Sequence, residues 1–323
     1  MGLLPFAGTA RGQTVLNESS APVAVSPAEC TGAGFGDGVC SSSCWTVRAG
    51  TVILHRSKAS PTTLVEDGQT GAELVNVSDF DLGFAAGPQF EITRHLSTDW
   101  DLGVEYFNVD GWEARRSLAD PGNLRVPFIS DDPDDYFDTA SAVYASRLYS
   151  TEVNLKRRVT ERLRLVAGFR WVELHEFVAA DAYSVDLEGN AELRTNNHLY
   201  GFQLGTEALL WNRGGPLSLD GFLKAGVYGN HIRASMAGEG TGLSGDGTGT
   251  TNRTSFVGQI GLKATYRLTE HLAAFGGYEV MWIDGVLLAP DIITAATGGG
   301  DDTLACDNHA FYHGALAGLE LTW

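Results

Sequence analysis

The sequence predicts an all-β fold, a ten-stranded antiparallel up-and-down barrel of the outer-membrane type that crosses a bilayer with its strands. Three observations carry the prediction. Apolar residues recur at every second position through ten separate stretches, the period of a strand with one greasy face. The connections between those stretches alternate strictly between long and short, as short periplasmic turns and long external loops require. The tryptophans cluster at the ends of the stretches, where two aromatic girdles would sit.

Composition agrees. The 323 residues are 43% hydrophobic with 40 glycines, and no run of about eighteen apolar residues exists to span a membrane as a helix. Only 22 Lys and Arg stand against 40 Asp and Glu, a net charge of −18 that excludes nucleic acid as a partner. The acidic balance suits a lumen that prefers cations.

Residues 1–12 read as the remnant of a signal peptide, with small residues Ala10 and Gly12 before a cut at Gln13. Residues 13–43, rich in Ser, Ala, Pro and Gly, read as a flexible periplasmic segment, and the barrel is expected over 44–323. Cys30, Cys40, Cys44 and Cys306 make an even count that permits disulfides in an exported chain, in a pairing that spacing does not fix.

The first strand runs from Trp45 to about His55. In the second, Phe80, Leu82, Phe84, Ala86, Phe90 and Ile92 alternate with polar or small residues. In the third, Trp100, Leu102, Val104 and Tyr106 oppose Asp101, Gly103 and Glu105, and a long polar loop follows over about 110–138. The fourth covers about 140–155, and the charged turn KRRVTE leads to the fifth, where Leu163, Leu165, Ala167, Phe169 and Trp171 face one way. After a loop of some twenty residues the sixth carries Tyr200, Phe202 and Leu204, and the seventh Leu217, Leu223 and Val227. A loop over about 230–252 precedes the eighth (Phe256 to Tyr266), and the ninth runs from Leu272 to Trp282. A last loop over about 287–308 delivers the chain to the tenth, where Phe311, Ala315, Ala317, Leu319, Leu321 and Trp323 fall in phase. Ten-residue strands tilted by about 40° rise on the order of 25 Å, the height of an apolar band.

This threading puts Trp45, Trp100 and Trp323 in the periplasmic girdle and Trp112, Trp171 and Trp282 in the external one. Trp211 also lies at a strand end but out of phase with its strand's lipid face. The segments VRAGTVILHRS (47–57), VEYFNVDGW (104–112), GFRWVELHEF (168–177), KAGVYGN (224–230) and GYEVMWIDGV (277–286) resemble an outer-membrane porin family described from planctomycete genomes, the beta barrel porin-seven type. The resemblance spans most of residues 44–323. It implies an outer-membrane barrel with a porin-like label and brings no catalytic residues with it.

The faces turned from lipid collect charge. Arg48, Glu91, Asp101, Glu105, Glu152, Arg164, Arg170, Glu207, Asp220, Lys224, Lys263 and Glu279 are the expected pore-lining set. Opposite charges across so narrow a lumen will pair, since an unpaired one is costly. The same faces carry glycines, among them Gly87, Gly168, Gly201, Gly226 and Gly261, which argue for space. His309 and His313 stand about 13 Å apart on a strand, too far to share a metal. The acidic run over 130–135 reads as solvated loop, and no nucleophile elbow appears.

The expected function is porin-like passive diffusion of small hydrophilic solutes, with a preference for cations, across the bacterial outer membrane. The alternative is a closed structural or surface-interaction barrel, and an outer-membrane barrel enzyme stands third. No catalytic residue, cofactor or metal is expected. The expected partners are outer-membrane lipid, the barrel-assembly machinery acting on the C-terminal strand, and small solutes if the lumen is open.

Overall fold

A computed structural model describes residues 44–130, 132–239, 245–297 and 308–323. The expected leader and flexible segment, together with Cys30, Cys40 and Cys306, lie outside the described residues. Ten long strands make the barrel. They are β1 (Trp45–Arg56), β4 (Phe84–His95), β5 (Trp100–Arg125), β6 (Phe137–Thr160), β7 (Leu163–Tyr183), β8 (Glu188–Asn212), β9 (Leu217–Glu239), β10 (Gly245–Arg267), β11 (Leu272–Val286) and β12 (Asn308–Thr322). Each pairs antiparallel with its neighbours, and β1 meets β12 from Thr46↔Thr322 to Arg56↔Tyr312, so no edge is left open. The connection from β1 to β4 holds a small hairpin, β2 (Thr63–Asp67) and β3 (Glu73–Asn76), which joins the far end of β5. A short helix, α1 (Ala289–Thr297), follows β11. None of the described helices is long and apolar enough to cross a membrane.

The outer wall near the tight turns is greasy in a way that water would not tolerate. Phe202 is 77% exposed and Leu204 71%, and Phe90, Ile92, Leu102, Val153, Leu165, Leu223, Ile260 and Leu319 share that surface. Each such side chain is worth about 1.5–3 kcal/mol when covered by an apolar medium, so the continuous band fixes lipid as its solvent. Trp45, Trp100, Trp211 and Trp323 edge the band at the tight-turn end, and Trp171 and Trp282 edge it at the other. Arg94 and Arg157 lie over the rings of Trp45 and Trp100 at 4.7 and 5.3 Å, cation–π contacts at the boundary where charge begins.

Three expectations need correction. The first concerns height. The stretches read as long loops over about 110–138 and 230–252, and the loop of some twenty residues before Tyr200, are mostly strand, because β5 to β10 run for 21 to 26 residues. At the upper aromatic edge the chain keeps its period of two but inverts its phase. On β7, Leu165, Phe169 and Trp171 face out below the edge, whereas above it Glu173 and His175 face out and Leu174, Val178 and Ala180 face in. Water has replaced lipid outside and an apolar core has replaced charge inside, so alternation that ignores phase mistakes the upper strand for loop. At about 3.3 Å per residue and a 40° tilt, 26 residues rise roughly 65 Å, far above the band.

The second correction is Trp112, which lies inside the barrel rather than in the girdle. It is 1% exposed, stacks near Tyr312 and donates its indole N–H to the Leu54 carbonyl at 3.1 Å. The reason is a β-bulge. Register passes from Val109↔Leu148 to Trp112↔Ser146, three residues against two, and the extra residue turns every later side chain of β5 to the other face. A second bulge, between Leu209↔Asp220 and Trp211↔Leu219, returns the out-of-phase Trp211 to the outer surface.

The third is the start of the second barrel strand. Phe80 and Leu82 do not face lipid but are buried, 1% and 8% exposed, beneath the external hairpin. Gly83, with φ of 61°, separates them from β4, which begins at Phe84.

Candidate functional site

Among the described residues the lumen gathers polar side chains away from bulk water, and the strand parity that puts grease outside puts them there. Arg48, Glu91, Asp101, Glu105, Glu152, Arg164, Arg170, Glu207 and Lys224 face inward and form an ion-paired layer, which Glu279 joins through Gln259, and Asp220 and Lys263 line the cavities beside it. Near the tight-turn mouth Arg48 on β1 bridges Glu91 of β4 and Glu320 of β12, at 2.6 Å each. Lys156 on β6 bridges Glu91 at 3.0 Å and Glu207 of β8 at 2.7 Å. Arg164 lies 3.9 Å from both Asp101 and Glu207.

Deeper in, Glu152 on β6 takes Arg170 at 3.2 Å and Lys224 at 2.8 Å, and accepts from the Asn154 and Gln203 amides. Lys224 also reaches Glu105 at 3.0 Å. Arg170 donates to Ser150 and to Gln259, whose amide in turn donates to Glu279. Glu152 and Arg170 are each 1% exposed, so water of bulk character does not reach the centre of this layer. Charges removed from solvent in this way persist only because each meets several partners.

The inward glycines do not leave the space that their number suggests. A Cβ at Gly261 would fall 2.5 Å from the Phe222 ring, and one at Gly201 2.2 Å from the Val227 carbonyl and 2.7 Å from Tyr228. Large aromatic rings and neighbouring backbone occupy the room that glycine vacates. Among the described residues the lumen keeps small cavities, two of them of about 50 and 70 Å³, enough for a few waters. Thr46 and His95 line the larger of these two and begin a hydroxyl–imidazole–carboxylate chain. Thr46 Oγ1 lies 2.9 Å from His95 Nε2, and His95 Nδ1 lies 2.7 Å from Asp101 Oδ1.

Above the ionic layer the lumen turns apolar. Val52, Leu54, Phe107, Val109, Val172, Leu174, Leu199, Tyr228, Val257 and Ile283 are all at most 1% exposed. The chain after β11 then folds inward over them. Asn197 clasps the Leu287 peptide, accepting its N–H at 3.0 Å and donating to its carbonyl at 2.8 Å. Asn230 and Ser255 donate to the Gly285 carbonyl. Glu176 accepts the Ala289 N–H at 3.2 Å and the Tyr144 hydroxyl at 2.9 Å, and it pairs with Arg56. Ile292 and Ile293 of α1 complete the seal. In this region outside the bilayer, burial pushes the Asp291 carboxyl up to about 6, against its hydrogen bonds from the Leu288 amide and Asn308.

Parity alone could not supply Lys156, which continues the Glu152–Asn154 face but sits in a run that looks like turn. Thr46 and His95 likewise carry no motif in sequence. Arg56 and Glu176 lie beyond the upper aromatic edge, where the phase has inverted.

Residues 137–308 match the family described as putative beta barrel porin-7. The chain belongs to that family. Among solved structures it is similar to the outer membrane protease OmpT of Escherichia coli, at 13% identity and a TM-score of 0.49 over 87% of this chain and 97% of that one. It is also similar to the translocator domain of the autotransporter NalP from Neisseria meningitidis, at 11% identity and 0.41 over 89% and 90%. The toluene transporter TodX of P. putida aligns at 10% identity and 0.34 over 87% and 90%. No match was found among curated proteins. Membership of the porin-7 family and the lipid-facing band together make this an outer-membrane β-barrel.

Proposed function

We propose that this porin-7 barrel is closed to free diffusion, and that it serves in the bacterial outer membrane as a rigid support for a tall external β-wall. The observation behind this reading is the double seal, an ion-paired layer whose central Glu152 and Arg170 are 1% exposed and an apolar layer above it capped by α1. An open pore leaves its lining accessible to water along its whole length, as even a single file of solute requires. The orientation follows from the strands. The tight turns face the periplasm and the extended β5–β10 wall, braced by its own inner core, faces outward. A liposome-swelling assay tests the reading. Vesicles holding the purified full chain should swell no faster in small sugars than empty ones, and fast, size-dependent swelling would return passive diffusion to first place.

An enzyme has one observation in its favour, the Thr46–His95–Asp101 chain, which has the order of a nucleophile, base and orienting acid. Thr46 is only 3% exposed, its hydroxyl also meets Thr322 at 3.3 Å, and the adjoining cavity is about 70 Å³. Space for a few waters does not admit an acyl substrate, so the chain is read as part of the structural network. Covalent labelling of Thr46 by a fluorophosphonate would reverse that judgement.

A further inference from the structure

The outer wall just above the lipid band carries a patch that the closed-barrel reading does not use. Cross-strand register places Arg147, His175, Asn196 and Arg233 side by side on β6, β7, β8 and β9. The row beneath holds Glu173, His198, His231 and Asn252. Beneath that, Trp171 and Tyr200 stack at 5.8 Å and mark the edge of the grease. Arg194, with its side chain 57% exposed, stands over Phe177 above the rows and is paired with Glu192 at 2.8 Å.

Two features set the patch apart. The chain as a whole is acidic by 18 charges, yet these rows hold two arginines and three histidines against one carboxylate, Glu173. Glu173 is taken up locally, facing His198 Nδ1 at 2.9 Å and His175 Nε2 at 3.3 Å. Arg147 and Arg233 are exposed, and among the described residues no carboxylate lies within ion-pair distance of either.

From this we infer that the β6–β9 wall binds the phosphorylated headgroup of an outer-leaflet lipid, with Arg147 and Arg233 as the phosphate ligands. The inference rests on the chain being an outer-membrane barrel and is independent of whether its lumen is closed. Height selects the ligand, since a group seated on these rows has its acyl chains level with Trp171, Tyr200 and Phe202. Guanidinium forks suit phosphate oxygens in two-pronged contacts. Arg147 and Arg233 lie three strands apart, about 14 Å across the sheet, which fits a headgroup carrying two phosphates better than one. The occupant is therefore a bisphosphorylated glycolipid rather than a zwitterionic phospholipid. At the same height on the opposite wall, His55 already faces a carboxylate, Asp81 at 3.7 Å.

Native mass spectrometry of the full chain, released from micelles with defined lipids, tests this. Bisphosphorylated lipid A should be retained at least about tenfold more than its dephosphorylated form, the size of one charge-assisted hydrogen bond. The double variant Arg147→Gln/Arg233→Gln should lose that preference while keeping its heat-modifiable band, and His55→Gln/His313→Gln on the far wall should keep it. Equal retention of the two lipids by the unaltered protein overturns the proposal, whether or not the variants fold. Unchanged preference in the folded double variant overturns it too.

Discussion

Replacing Glu176 by alanine should unlock the external seal. Arg56 and Glu176 are 1% and 0% exposed in their side chains, and Glu176 also accepts from Tyr144 at 2.9 Å, Ser146 at 3.3 Å and the Ala289 amide at 3.2 Å. Removing one member of a buried pair strands the other charge and costs about 3–5 kcal/mol. The orphaned Tyr144 hydroxyl and Ala289 amide push the expected loss to the upper half of that range, a factor on the order of a thousand in the unfolding equilibrium. Urea unfolding in lipid vesicles, followed through the buried Trp112, measures it. The double variant Arg56→Met/Glu176→Leu removes both charges and should lose less, about 1–3 kcal/mol, from the unmet hydroxyl and amide alone. A loss below about 1 kcal/mol in Glu176→Ala, or a larger loss in the double variant than in the single, would refute the reasoning.

Bromine-labelled lipid tails should quench Trp171 and Trp282 but leave Trp112 bright in single-tryptophan variants, since a bulge turns Trp112 inward; quenching of Trp112 would put it back in the girdle. Gly201→Ala drives a Cβ to 2.2 Å from the Val227 carbonyl and should cost about 1–3 kcal/mol in the same unfolding assay, whereas Gly229→Ala, with its nearest atom at 4.0 Å, should be neutral. The raised carboxyl of Asp291, at about 6 against 3.8 when undocked, means the docked α1 segment holds a proton more tightly than the released one. Its stability is therefore highest below about pH 4 and declines as pH rises through 6, by about tenfold between pH 5 and 7. Hydrogen-exchange protection over residues 287–297, taken relative to the intrinsic exchange rate at each pH, should rise on acidification, and Asp291→Asn should abolish the trend.

Much of the architecture could be read from the chain because a barrel in lipid imposes one rule on every strand. Phe202 and Leu204 face out and Gln203 and Glu207 face in for the same reason. The rule fails where its premise changes. Above Trp171 the outside is water, so the outward positions turn polar at Glu173 and the inward ones apolar at Leu174, and the strand resembles loop. At Val109–Trp112 one extra residue shifts the phase, and composition gives no sign of it. The inward glycines misled for a different reason. Vacant volume at Gly261 is visible in sequence, but the Phe222 ring that fills it belongs to another strand. The α1 plug and the Thr46–His95–Asp101 chain depend on residues between 46 and 293 meeting in space, which no local pattern encodes.

Current across a planar bilayer holding the purified full chain tests the central claim most directly. Two stacked layers of buried side chains across the lumen predict a silent membrane, with the folded state confirmed by its heat-modifiable band. Steady, reproducible single-channel steps from the folded unaltered protein, carried by small ions at modest voltage, would contradict the account.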